Sequence, residues 1–138
     1  MIILPLIKDT MQVSREQDVV PFRNRVKEYS IQIKMGLVNQ TKLITAASEL
    51  ARNMLKYGKG GKTVIEIVSK GTENGIRLTF QDTGPGIADI SQAMRDGFST
   101  GKSLGLGLSG SKRLVNEFDI KSEPGTGTTI TIIKWVNG

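Results

Sequence analysis

Apolar residues recur at helical spacing most clearly between residues 39 and 57. When successive residues turn by about 100°, the apolar side chains of this segment form one wide face, as in an amphipathic helix that covers a core. The residues at the centre of that face are Leu43, Ala47, Leu50 and Met54. Gly58 follows directly and is expected to end the helix.

A shorter helical repeat precedes this segment and is expected to end at Gly36. Its apolar face consists of Phe22, Val26 and Tyr29. The helix has two possible starts. One is Ser14, with Gln17 three residues later as a capping box. The other is Asp18, which places Pro21 in the first turn, where proline is tolerated, and this start is favoured.

Apolar or alternating runs predict five strands, at residues 2–13, 63–69, 76–81, 120–122 and 128–136. Pro5 suits an edge strand, and Asn74-Gly75 suits the turn before the third strand. A further helix is expected to run to about Glu117. The order of elements indicates an α+β fold of one domain, residues 1–138. We expect a two-layer sandwich in which helices cover one face of a mixed, mostly antiparallel sheet.

Composition removes several classes of function. The chain of 138 residues has no cysteine and no histidine, which excludes disulfides, thiolate metal sites, phosphohistidine chemistry and imidazole catalysis. The net charge of +6 suggests an anionic partner, but aromatic residues make up only 5% and argue against nucleic-acid binding. The apolar start is too short and interrupted for a signal peptide or a membrane span, so we expect a soluble, cytoplasmic protein.

Seven of the sixteen glycines lie between Asp82 and Gly110, here called the glycine-rich segment. Glycine permits positive φ and close approach of a ligand, but each one destabilises a regular element by about 0.5 to 1 kcal/mol, so a ligand is the better explanation. Residues 97–103 resemble a P-loop that is one residue short, and residues 105–110 match G-x-G-x-x-G without the preceding strand. The hydroxyls, Lys102 and a helix N-terminus still predict a polyphosphate-binding lid with an adenine pocket at its front edge.

Three smaller motifs each allow two interpretations. Glu49 and Asn53 lie one helical turn apart and could orient a hydroxyl and hold a hard cation, although the helix by itself favours an ordinary solvated face. Asp82 at a strand end could accept a hydrogen bond from adenine, or begin a plain turn. Residues 125–128 most simply form a hairpin turn.

The order and spacing of these motifs resemble the GHKL superfamily of ATPases and kinases, which has the Bergerat ATP-binding fold. Residues 49–53 (ELARN) look like its N box, and residues 82–86 (DTGPG) look like its first glycine box. Residues 105–108 match the core of the second glycine box, and residues 125–128 match the last box. The resemblance covers about residues 13–135.

The resemblance implies ATP and Mg²⁺ as cofactors and a role for each matching residue. Glu49 would be the general base for a substrate hydroxyl, Asn53 would hold Mg²⁺, and Asp82 would bind the adenine amino group with support from Thr128. Lys102 or Arg52 would neutralise the γ-phosphate. The nucleotide-binding residues implied in this way are Asn53, Lys56, Asp82, Gly84, Gly86, Ile87, Ser99, Thr100, Gly101, Lys102, Ser103, Leu104, Gly105, Leu106, Gly107, Leu108 and Thr128.

Within the superfamily, the segments ELARN, DTGPGI, DGFST and KRLVNEF are similar to stand-alone serine/threonine kinases that control bacterial sigma factors, above all the RsbT-type switch kinases of the stressosome. This resemblance implies a serine or threonine of a STAS-domain scaffold or antagonist as substrate. It also implies a metal-dependent phosphatase as second partner in general stress signalling. An anti-sigma factor that sequesters a sigma factor is the alternative, and an inactive ATP sensor is disfavoured by the intact Glu49 and Asn53.

Overall fold

The computed structural model describes residues 2–87, 94 and 107–138. A short 3₁₀ turn, Glu16–Asp18, lies between the first strand and the first helix. The strands and helices are, in chain order, β1 (Leu4–Val13), α1 (Val19–Gln32), α2 (Leu37–Gly58), β2 (Gly61–Lys70), β3 (Glu73–Asp82), α3 (Gly107–Leu114), β4 (Glu117–Glu123) and β5 (Gly127–Trp135). The order of elements and the α+β class that the sequence predicts are therefore confirmed.

The strands form one sheet in the order β1-β2-β3-β5-β4. Each of the four described pairings is antiparallel, where a mixed sheet was expected. The prediction that Pro5 belongs to an edge strand is confirmed, because β1 pairs only with β2 among the described strands and its register shifts between Pro5 and Ile7.

One face of the sheet packs against α1 and α2. Ile65, Leu78 and Ile132 lie side by side on β2, β3 and β5, and each has no exposed surface. They belong to the same core as Phe22 of α1 and Leu43 of α2, so the apolar faces of both helices are confirmed. Phe22 and Phe80 meet edge to face with centroids 5.7 Å apart. Burying each such side chain stabilises the fold by about 1.5 to 3 kcal/mol.

The start of α1 combines both candidate positions. The helix begins after Asp18, as favoured, and Pro21 lies in its first turn. The Asp18 carboxylate accepts hydrogen bonds from the backbone N–H groups of Ser14, at 2.9 Å, and of Arg15, at 3.0 Å. These two bonds lower the pKa of Asp18 below its usual value because they favour the charged carboxylate.

Of the two glycines that were expected to end helices, Gly58 does end α2, whereas Gly36 does not end α1. At the end of α1 it is Lys34 that has a left-handed backbone, with φ of 64°, and Gly36 instead caps the N-terminus of α2. Gly58 is the last residue of α2, and Lys59 takes the left-handed conformation, with φ of 62°. The N–H group of Gly60 then donates to the carbonyl oxygen of Met54 at 3.0 Å, which closes the helix end.

The Asn74-Gly75 turn prediction is wrong. Both residues lie within β3, and Lys70 pairs with Glu73, so that a two-residue turn at Gly71 and Thr72 joins β2 to β3. Gly71 has the positive φ that this turn requires, 63°. A Cβ at Gly75 would lie 2.6 Å from the Trp135 ring, so a packing contact explains that glycine.

The helix predicted to reach Glu117 is shorter, because α3 ends at Leu114 and Glu117 is already the first residue of β4. The backbone N–H of Asn116 donates to the carbonyl oxygen of Ile133 at 2.9 Å, and its side-chain oxygen accepts from the Trp135 N–H at 2.8 Å. These bonds join the chain to β5 before a further helical turn can form. None of the described helices is long and apolar enough to cross a membrane.

Candidate nucleotide-binding site

Asp82 lies at the end of β3 with its carboxylate held by two backbone groups. Its Oδ1 accepts hydrogen bonds from the N–H of Gly84, at 2.9 Å, and from the N–H of Thr128, at 3.3 Å. Both bonds use Oδ1, so among the described residues Oδ2 is left for a ligand with a hydrogen-bond donor. This geometry supports the adenine interpretation of Asp82 over the plain turn.

Glycines allow three chain segments to meet around this carboxylate. A Cβ at Gly58 would lie 2.4 Å from Cγ of Asp82, and a Cβ at Gly84 would lie 2.7 Å from Cα of Gly58. A Cβ at Gly127 would lie 2.2 Å from the carbonyl oxygen of Asp82. Because real Cβ atoms do not approach other atoms so closely, each position requires glycine, and the three segments can pack directly against Asp82. Gly58 is a site residue that the sequence interpretation treated only as a helix end.

The β4–β5 hairpin contacts the chain segment that follows Asp82. The N–H of Gly125 donates to the carbonyl oxygen of Pro85 at 2.7 Å, and the N–H of Ile87 donates to Oγ of Ser122 at 2.7 Å. Gly86 has φ of 78° and passes close to the carbonyl oxygen of Glu123. Residues 125–128 therefore lie at the β4–β5 hairpin turn and also contact Asp82 and Pro85.

Ser122 contributes to the pocket although the sequence interpretation did not single it out. Its Oγ lies 2.8 Å from Oγ1 of Thr128, which it faces across the β4–β5 pairing. The signal was present in the sequence, because a tight turn at residues 123–127 places residue 122 opposite residue 128.

Glu49 and Asn53 lie one turn apart on α2, and both are half-buried. The solvated face that the helix pattern favoured is therefore not what the structure has. Oε1 of Glu49 is buried and has no hydrogen-bond partner among the described residues. Buried polar atoms in native proteins nearly always have a partner, so the donor for this oxygen lies outside the described residues, in water, a ligand or another part of the chain.

The fit of Mg²⁺ depends mainly on Asn53. Within the described part of the chain no group of three or more acidic, cysteine or histidine residues could hold a metal ion. A side-chain amide oxygen is a suitable ligand for Mg²⁺, which usually takes one or two protein ligands and several from water and phosphate. Asn53 therefore fits a metal ion that arrives with the nucleotide.

The structure describes only some of the basic residues that were expected to bind the phosphates of the nucleotide. Arg52 lies on α2 and its Nε is 3.5 Å from Oε1 of Glu16, so its charge already has a carboxylate neighbour. Lys56 is exposed, and its Nζ lies 5.3 Å from the ring centroid of Tyr57. Lys102 lies outside the described residues, together with Ser99, Thr100, Gly101, Ser103, Leu104, Gly105 and Leu106.

Gly107 and Leu108 lie near the end of the glycine-rich segment and are the first two residues of α3. Gly107 has φ of 64°, so it permits the change of direction into the helix. Leu108 is half-buried and packs against the main core. The helix start that the polyphosphate prediction needs is therefore present, and the predicted phosphate contacts themselves remain predictions.

Comparison with known proteins gives relatives that are similar over nearly the whole chain. The chain is 41% identical over 126 residues to the serine/threonine-protein kinase RsbT of Bacillus subtilis, which covers 91% of this chain and 95% of that protein. It is 28% identical over 129 residues to an anti-sigma F factor of Thermoanaerobacter, with 90% of each chain covered.

Two solved structures share the fold at low sequence identity. The RsbU and RsbW domains of Rv1364c from Mycobacterium tuberculosis match with a TM-score of 0.64 at 19% identity, covering 94% of this chain and 32% of that one. The SiaB-SiaC complex from Pseudomonas aeruginosa matches with a TM-score of 0.56 at 11% identity, covering 95% of this chain and 90% of that one.

The family profile described as histidine kinase-, DNA gyrase B- and HSP90-like ATPase matches residues 38–137, which contain α2, the Asp82 pocket and the β4–β5 hairpin. The match spans most of the chain, and the relative that is 41% identical covers most of it as well. The chain therefore belongs to the family of histidine kinase-, DNA gyrase B- and HSP90-like ATPases, the GHKL superfamily.

Proposed function

We propose that the chain is an ATP-dependent protein serine/threonine kinase. The observation that carries this proposal is the buried, unpaired Oε1 of Glu49, on the same helix whose last residue, Gly58, contacts the Asp82 carboxylate. A nucleotide pocket alone would suit an ATP sensor. A carboxylate oxygen that lacks a hydrogen-bond donor among the described residues, on the helix that ends at this pocket, suits a base that receives a substrate hydroxyl.

The proposed reaction is direct transfer of the γ-phosphoryl group. Asp82 binds the adenine amino group, and Glu49 accepts the proton of a serine or threonine hydroxyl while the hydroxyl oxygen bonds to the γ-phosphorus. The bond from that phosphorus to the bridging oxygen breaks, and ADP leaves. Asn53 would hold Mg²⁺, which offsets the negative charge of the phosphates when it is bound. Positioning by these residues supplies most of the rate enhancement.

We propose a STAS-domain scaffold or antagonist as the protein substrate. The similarity to a kinase named RsbT and to anti-sigma F factors supports a role in sigma-factor regulation. We further propose that the chain changes partners after phosphorylation and activates a metal-dependent serine/threonine phosphatase in general stress signalling. These partners, like ATP, are in the cytoplasm, and no nucleic acid or membrane is required.

The test is transfer from γ-labelled ATP to a panel of STAS-domain proteins in the presence of Mg²⁺. Label on a serine or threonine is expected with the unmodified chain, and Glu49→Ala should slow transfer by about 10² to 10⁴ while ATP binding by calorimetry stays largely intact. Glu28→Ala is the control, because the Glu28 side chain is 71% exposed on α1. Transfer at the normal rate by Glu49→Ala would remove Glu49 from the role of base.

An anti-sigma factor is the second candidate, supported by the relatives of that name. The two candidates differ in the protein that they retain. A switch kinase should retain STAS-domain proteins and a phosphatase in a pull-down, whereas an anti-sigma factor should retain a sigma factor. Tight ATP binding without transfer to any STAS-domain protein would favour the second candidate.

A further inference from the structure

Ser122 lies at the junction between the β4–β5 hairpin and the chain that leaves Asp82. The side chain is half-buried, and its hydroxyl oxygen has three close polar neighbours. The N–H of Ile87 is 2.7 Å away, Oγ1 of Thr128 is 2.8 Å away, and the carbonyl oxygen of Gly127 is 3.2 Å away. All three distances are within hydrogen-bond range.

The number of hydrogens determines the direction of these bonds. A serine hydroxyl donates one hydrogen and accepts two. The N–H of Ile87 can only donate and the carbonyl oxygen of Gly127 can only accept, so Ser122 accepts from the first and donates to the second. Its remaining lone pair must then accept the hydroxyl hydrogen of Thr128. In the reverse direction Ser122 would have no hydrogen for Gly127, and one contact would be lost.

The direction of these bonds determines where the hydroxyl hydrogen of Thr128 points. Thr128 is 8% exposed, and its backbone N–H donates to Oδ1 of Asp82. With its hydroxyl hydrogen directed to Ser122, Oγ1 of Thr128 can only accept further hydrogen bonds. Gln81 pairs with Thr129, so Asp82 and Thr128 lie on neighbouring strands, and the Asp82 carboxylate and Oγ1 of Thr128 would offer a ligand two acceptors. An amino group with two hydrogens matches such a pair, whereas a carbonyl oxygen would face lone pairs on both sides.

We propose that Ser122 is a specificity-determining residue, which orients the Thr128 hydroxyl as an acceptor so that the pocket selects purines with a 6-amino group over purines with a 6-oxo group. The proposal rests on the proposed nucleotide-binding function. It assigns Ser122 a positioning role, since it acts on the nucleotide through Thr128. Without the Ser122 hydroxyl, Thr128 can rotate its own hydrogen toward the ligand and donate to a 6-oxo group.

The experiment compares the affinities of the full chain for Mg·ATP and Mg·ITP by calorimetry, because ITP carries a 6-oxo group and a protonated N1. The unmodified chain should prefer ATP. Ser122→Ala should lower the ratio of ATP to ITP affinity about tenfold, and Ser122→Thr, which keeps a hydroxyl, should leave the ratio within about twofold. Ser14→Ala is the control, because Ser14 is exposed. Thermal melting establishes that each variant is folded.

A purely structural role for Ser122 would weaken both nucleotides by the same factor, and an unchanged ratio in folded Ser122→Ala would overturn the proposal. If Ser122→Ala does not fold, Thr128→Val provides the measurement. Thr128→Val should lower the ratio of ATP to ITP affinity by a similar factor. An unchanged ratio in this variant would also overturn the proposal. If the unmodified chain binds neither nucleotide, the proposed function fails together with this inference. Normal ATP binding with an unchanged ratio refutes the inference and leaves the proposed function standing.

Discussion

Gly58 shows how the role of a glycine depends on residues that are distant in sequence. It ends α2 without a left-handed backbone, since Lys59 takes that conformation instead. Its lack of a side chain matters because Asp82 occupies the space where a Cβ would be, with the Asp82 Cγ 2.4 Å away. Asp82 can therefore reach its position only above a glycine.

We predict that Gly58→Ala weakens ATP binding. The added methyl group displaces the Asp82 carboxylate, and overpacking of this kind costs about 1 to 3 kcal/mol, which corresponds to roughly 5- to 150-fold in affinity. Calorimetric titration with ATP measures the effect. Gly36→Ala is the matched control, because nothing lies within 4 Å of a Cβ at that position. Equal affinities for both variants and the unmodified chain would contradict this role of Gly58.

Lys134 is a buried ammonium group on β5, with only 3% of its surface exposed. Its Nζ donates to the carbonyl oxygen of Gly138 at 3.3 Å. Burial lowers the pKa of Lys134 below the usual 10.5, and the nearby positive charge of Lys42 lowers it further. Because the unfolded chain binds this proton more tightly than the folded chain, the charged Lys134 destabilises the fold at neutral pH.

We predict that Lys134→Met raises the free energy of unfolding at pH 7. As pH rises through the lowered pKa of Lys134 towards 10.5, the folded chain loses the proton first and the unmodified protein gains stability. The difference between variant and unmodified protein should therefore shrink over that pH range. Urea unfolding at several pH values measures it, with the exposed Lys121→Met as control. A difference in the free energy of unfolding that does not change with pH would contradict the prediction that the positive charge of Lys134 destabilises the fold.

Two neighbouring strands, β2 and β3, are joined by side chains as well as by their backbone ladder. Arg77 binds Glu66 through two parallel bonds, with Nε to Oε1 and NH2 to Oε2 both at 3.0 Å. The two side chains are only 25% and 11% exposed. The hydrogen bonds that Arg77 donates to Glu66 raise the pKa of Arg77 above its usual value, so the guanidinium stays charged at neutral pH.

We predict that Arg77→Met lowers the free energy of unfolding by about 3 kcal/mol, because it leaves the largely buried Glu66 carboxylate unpaired. The double variant Glu66→Met with Arg77→Met should recover most of this loss, because it also removes the unpaired charge. Urea denaturation of the two single variants and the double variant forms a thermodynamic cycle that measures the coupling. Additive losses would show that the two side chains do not interact energetically.

The whole molecule brings the site together from separate elements. The end of α2 supplies Gly58, the end of β3 supplies Asp82, and the β4–β5 hairpin supplies Ser122 and Thr128. A nucleotide in this pocket would contact all of these elements in the folded state only. Ligand binding should therefore be linked to global stability.

We predict that saturating ATP with Mg²⁺ raises the melting temperature. At a concentration of about 100 times Kd, binding contributes about 2.7 kcal/mol, which corresponds to a rise of roughly 9 °C for a chain of this size. Asp82→Asn should reduce this rise strongly while melting near the normal temperature without ATP, since the amide oxygen can still accept from Gly84 and Thr128. Asp119→Asn on the exposed side of β4 is the control. An unchanged rise in Asp82→Asn would contradict the adenine assignment.

The sequence by itself determined the features that follow from short-range regularity. The helical repeat of α2, the alternation in β3 and the order of the glycine motifs each reflect contacts made on one face of one element or one turn. These patterns predicted the element order, the α+β class and the position of Asp82 at a strand end. Boundaries were less well determined, as at Gly36, Asn74 and Glu117, because competing contacts at each end decide where an element stops.

The tertiary structure decided what depends on residues far apart in the chain. The bond between Thr128 and Asp82 joins residues 46 positions apart, and the bond between Ile87 and Ser122 joins residues 35 positions apart. Neither periodicity nor motif spacing shows that Gly58 must lack a side chain, that Ser122 has three polar neighbours, or that Oε1 of Glu49 is buried without a partner among the described residues. Burial, steric exclusion and hydrogen-bond direction are properties of the packed chain, and these properties support the proposal of a nucleotide site over a plain turn and a solvated helix.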